Sequence, residues 1–68
     1  MNDTIMNILI HWHSRGVRGL SLNDFDVSDK HKLLETLNLL IDEKYVYTII
    51  DKDTRYFVSD LGYREYHD

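Results

Sequence analysis

Apolar residues recur in this chain at two periods, first that of a helix and later that of a strand. Ile5, Ile8, Leu9 and Trp12 fall at i, i+3, i+4 and i+7, which is one helical stripe, with Met6, Ile10 and His13 widening one flank. Asp3 or Thr4 can cap the start, and Gly16 is a natural stop because glycine enters the left-handed region freely. A first helix is expected over about residues 4–15. Between Gly19 and Phe25, Leu20, Leu22 and Phe25 are anchors, whereas Ser21, Asn23 and Asp24 favour caps and turns. A short extended piece at Leu20 followed by one helical turn from Ser21 satisfies both sets. Ser28 or Asp29 then caps the longest helix, about residues 29–44. Leu33, Leu34, Leu37, Leu40 and Ile41 share its apolar face, and His31, Lys32, Glu35, Asn38, Leu39, Asp42 and Glu43 share the other. Leu39 is the misfit.

Residues 45–50 (Tyr-Val-Tyr-Thr-Ile-Ile) are a dense β-branched and aromatic run, hence a strand. Asp51, Lys52, Asp53 and Thr54 read as a turn, and residues 55–58 as the returning strand of an antiparallel hairpin. Ser59 caps a closing helical turn that runs to Tyr66. A hairpin alone is marginal and needs a helical layer, so both helical stripes and the hairpin are expected to close one core. Ile5, Leu9, Trp12, Leu33, Leu37, Leu40, Ile41, Val46 and Val58 are its expected members.

Composition narrows the classes. Sixty-eight residues make one domain, 1–68, and 43% hydrophobic content is too high for a disordered tail. The absence of cysteine excludes disulfide staples, cysteine zinc sites and thiol chemistry. No apolar run approaches a membrane span, and no basic leader or cleavage pattern is visible, so a cytoplasmic location is the simplest expectation. The net charge of −4 means that any binding to nucleic acid must rest on local cations.

Two stretches carry a resemblance. The ending Arg55-Tyr56-Phe57-Val58-Ser59-Asp60-Leu61-Gly62-Tyr63-Arg64-Glu65-Tyr66 resembles the Y-x-L-T-x-x-G-x-x-x-L close of many winged helix-turn-helix regulators, with Ser59 at the threonine cap and Gly62 at the glycine. Leu20-Ser21, Asn23-Asp24-Phe25 and Val27-Ser28-Asp29, leading into the leucine-rich helix, resemble the small prophage-associated YjcQ-type winged-helix family. The resemblance implies an α+β winged helix: a three-helix core whose long third helix is Asp29 to Lys44, and a C-terminal two-stranded hairpin as the wing, with its tip at Asp51 to Arg55. It implies a small, phage-derived regulatory protein that binds double-stranded DNA, with helix three in the major groove and the wing on the backbone.

Candidate residues follow. Lys30, His31 and Lys32 lie near the start of helix three, where lysines reach phosphates and His31 or Thr36 reaches base edges. Lys52 and Arg55 are the cations of the wing. Residues 28–58 hold five cations against six carboxylates, a net −1, so non-specific affinity for duplex is expected to be poor. The second reading is a protein-interaction module that binds a host or regulatory protein through helix three. It rests on Glu35, Asn38, Leu39 and Asp42, an apolar centre with an acidic rim. A second copy of the chain is among the partners this face could take.

Other constellations read as scaffold. His11 and His13, two apart on a helix, diverge by about 200° and cannot share one ion; His31 and His67 are distant. No metal site is expected. Asp42/Glu43 and Asp51/Asp53 are a solvated helix end and a solvated turn, with no pocket expected to shift a pKa for catalysis. The serines show no nucleophile motif, and the five tyrosines read as core lids. The expectation is a protein that is not an enzyme and takes no cofactor or small-molecule substrate.

Overall fold

A computed structural model describes residues 2–17 and 19–66. Helix α1 spans Asn2–Ser14, a 3₁₀ turn Leu22–Asp24, α2 Lys30–Asp42, β1 Val46–Ile50, β2 Thr54–Val58 and α3 Asp60–Tyr66. The strands pair antiparallel, with Val46 opposite Val58, Thr48 opposite Tyr56 and Ile50 opposite Thr54. Leu20 adds one bridge to Tyr56 on the far side of β2, each residue donating its N–H to the other's carbonyl at 2.9 and 2.8 Å.

This order overturns the winged-helix expectation. Only two α-helices precede the hairpin, and the third follows it, so the hairpin is not a C-terminal wing behind a three-helix core. The cause is local. At the place of the missing second helix, the Asp24 carboxylate accepts from both the Ser21 N–H (3.0 Å) and the Ser21 hydroxyl (3.2 Å). Phe25 then leaves the turn in extended conformation. The Ser21–Asp24 pairing is a capping box, which opens a helical turn, and the turn closes after three residues because Phe25 is extended. After β2, Ser59 opens α3, its hydroxyl accepting from the Gly62 N–H at 3.0 Å. The same hydroxyl donates to the Lys44 carbonyl at 2.6 Å, tying the end of α2 to the start of α3.

Several local expectations hold. Gly16 is left-handed just after α1, Asp29 caps α2 by accepting from the Lys32 N–H, and Leu20 is extended ahead of a single turn. The core differs in detail. Ile5, Met6, Leu9 and Ile10 are the buried residues of α1, whereas Trp12 is 39% exposed. The buried stripe is thus turned roughly 80° toward Met6 and Ile10 from the one expected, at about 100° per residue. Trp12 lies at its margin, edge-on to the His11 ring. On α2 the buried set is Leu33, Thr36, Leu37 and Leu40, with Leu34 exposed and Ile41 half-buried. Phe25, Leu20, Val46, Tyr56 and Val58 complete the core. α1 packs on α2, α3 and β2, and α2 covers β1. No described helix is long and apolar enough to cross a membrane.

Candidate functional site

Side-chain alternation gives the hairpin two faces. Val46, Tyr56 and Val58 point into the core, and Tyr47, Ile49, Arg55 and Phe57 point outward. Helix α2 likewise has a free face, carrying His31, Glu35, Asn38, Leu39 and Asp42. Of the residues singled out from the sequence, these two surfaces hold His31, Glu35, Asn38, Leu39, Asp42 and Arg55.

The set expected to face DNA is not left free. Lys30 Nζ folds back and donates to the carbonyls of Phe25 (3.0 Å) and Leu22 (3.3 Å), closing the 3₁₀ turn onto α2. Thr36 is buried, and its hydroxyl donates to the Lys32 carbonyl at 2.9 Å; a residue on the core side of α2 does not reach base edges, which corrects that assignment. His31 Nε2 lies 2.9 Å from Glu35 Oε1, one helical turn away, so a carboxylate faces the imidazole. Lys32 is exposed on α2 and Lys52 at the hairpin tip. Arg55 lies on the outer sheet face, 3.8 Å from Asp53 and within reach of the Gly19 carbonyl. The candidate cations Lys32, Lys52 and Arg55 are therefore spread over α2 and the hairpin and interleaved with acids.

The set expected to face a protein is exposed throughout: Glu35, Asn38, Leu39 and Asp42 all lie on the solvent side of α2. Leu39 is 56% exposed, against full burial of its neighbours Leu37 and Leu40. A shallow groove runs along α3, lined by His13, Val58, Ser59, Asp60, Tyr63 and Arg64. The hydroxyl of its serine, Ser59, already makes the two bonds that join α2 to α3. Among the described residues no group of three or more His, Asp or Glu side chains could hold a metal ion; His67 lies outside them.

Sequence reasoning missed the outer sheet face. Tyr47 and Phe57 stack there at 5.1 Å with planes 9° apart, beside Ile49, and Ile50 at the strand end is 75% exposed. The signal was present as a run of six β-formers without a charge, residues 45–50. Reading the tyrosines as lids is right for Tyr56, which is buried, and for Tyr45, Tyr63 and Tyr66, which pack against the core. It fails for Tyr47. Gly19 holds this face together: at φ +77 it passes beneath the Phe57 ring, where a Cβ would lie 2.6 Å from Cζ. Comparison with family models, with curated proteins and with solved structures found no match.

Proposed function

We propose that the chain is a non-catalytic protein-binding module, and that its contact face is the solvent side of α2. The observation that carries this reading is Leu39, a leucine 56% exposed in the middle of a helix face. Glu35, Asn38 and Asp42 surround it with polar and acidic groups. An interface core depleted of charge and rimmed by polar groups suits a protein. The complementary partner presents an apolar pocket edged by lysine or arginine. The duplex-DNA reading has weaker support, since Lys30 and Thr36 are committed within the fold and His31 faces Glu35. Phosphate neutralisation provides most non-specific affinity, and it needs free cations in one place.

Leu39→Lys tests the two readings together. The substitution is expected to leave stability within about 0.5 kcal/mol of the parent in thermal melts, because the site is on the surface. Affinity capture with the parent should retain a partner that the variant loses, as a desolvated cation replaces an apolar anchor. A mixed-sequence duplex titrated into the parent at two salt concentrations should move no amide resonances of α2. Salt-dependent shifts on α2, strengthened by the added lysine, would instead favour the nucleic-acid reading.

A further inference from the structure

The outer face of the hairpin carries what the α2 surface calls for. Leu39, with Glu35 and Asp42 around it, needs an apolar hollow edged by lysine or arginine. Near the hairpin tip a hollow of about 200 Å³ is walled by Ile49 and Phe57 and edged by Lys52 and Arg55. A cavity of about 150 Å³ admits benzene, so a leucine side chain fits here. Ile49 is 52% exposed, and Tyr47 stacks on Phe57 beside it, so the apolar wall is open to solvent. Asp51 and Asp53 complete the lining. Asp53 lies 3.8 Å from Arg55, beyond hydrogen-bonding distance, and the guanidinium keeps donors for another carboxylate. The other hollows do not match. The α3 groove has one aliphatic wall, Val58, and the hollow at Trp12, Val17 and Leu20 is edged by an acid, Asp24, and no cation.

We infer that the partner of α2 is a second copy of this chain, with Leu39 of one copy seated between Ile49 and Phe57 of the next, and Glu35 and Asp42 set against Lys52 and Arg55. The inference rests on the α2 reading and names its partner. A chain cannot fill its own hollow. Helix α2 lays its buried stripe on β1 from the core side, so Leu39 faces away from the sheet and Ile49 faces away from α2. The contact therefore joins two different surfaces, and copies add head to tail. Charge favours this pairing over α2 against α2, which would set the acidic rims of both copies against each other. Repulsion between whole chains of charge −4 is largely screened at 0.15 M salt, where the Debye length is about 8 Å.

Sedimentation velocity on the full chain at that salt, over a concentration series, tests it. The parent should associate as its concentration rises. Leu39→Lys spoils one face and Ile49→Glu the other, both at exposed positions, so each variant should melt like the parent yet associate about tenfold more weakly or worse. Mixed in equal amounts, the two variants should associate again, because each keeps the face that the other lacks. Lys52→Glu, at the exposed hairpin tip, should weaken association as well, since it sets an acid against the acidic rim. A parent that stays monomeric at every concentration overturns the inference. So does association that only one of Leu39→Lys and Ile49→Glu abolishes, which marks a like-with-like contact, or association that mixing fails to restore. A monomeric parent that still captures a different protein, lost with Leu39→Lys, leaves the α2 reading standing without this inference. An associating parent whose Leu39→Lys variant associates equally well overturns both.

Discussion

Leu37→Ala is expected to destabilise the fold by about 2–5 kcal/mol, the range for deleting a buried leucine where the surroundings relax only partly. Leu37 is fully buried between Leu33 and Leu40 on the face of α2 that covers the hairpin and α1. Domains of this size have only a few kcal/mol of net stability, so the variant should be largely unfolded or melt far below the parent. Urea unfolding followed by circular dichroism measures it. A variant with the parent's midpoint would mean that α2 buries a different stripe.

Gly62→Ala should also be strongly destabilising, against the direction that helix propensity gives. Propensity alone favours alanine over glycine inside a helix by about 1 kcal/mol. Here a Cβ would overlap the Tyr45 carbonyl oxygen and come within 2.9 Å of Met6 Cε. The methionine tip can move. The carbonyl cannot move freely, because it accepts from the Ser59 N–H at 3.0 Å where α2, β2 and α3 meet. Overpacking of this kind costs about 1–3 kcal/mol or more, which outweighs the propensity gain. Thermal melts of the variant decide the sign. A rise in melting temperature would show that α3 is not seated against Tyr45.

Most of the elements were legible because their signals are local. The stripes of α1 and α2, the Asp29 and Ser59 caps, the Gly16 stop and the β-branched run at 45–50 each act within a few residues. What was not legible depends on tertiary choice. Residues 21–25 make one turn and no more because Phe25 leaves it extended to reach the core and Lys30 reaches back to the Phe25 carbonyl. That decision separates a three-helix core from the arrangement found. The rotation of the α1 stripe is set by what packs on it, since Trp12 and Met6 are both apolar and only contact with α2 and α3 selects between them. Of the candidate surface residues, those on the polar arc of α2 were placed correctly by a helical projection. Thr36 was misplaced because a threonine can be buried once its hydroxyl finds the carbonyl four residues back. The outer face of the hairpin was missed because a two-stranded sheet has one covered face, and sequence alone does not say which tyrosine lies under it.

The bridge between Leu20 and Tyr56 has a consequence for the order in which the chain assembles. Its two residues are separated by thirty-six positions, whereas the hairpin closes across Asp51 to Asp53. Loop closure grows with the logarithm of length, so bringing Leu20 to the sheet costs roughly 2 kcal/mol more entropy than closing the hairpin. On that entropy difference the hairpin can close first, with Leu20 joining a sheet that is already formed. Leu20→Ala should then leave the refolding limb of a chevron plot nearly unmoved and accelerate the unfolding limb. The residue that seals the second edge of the sheet would act as a latch on the lifetime of the folded state, with little say in how fast that state is reached.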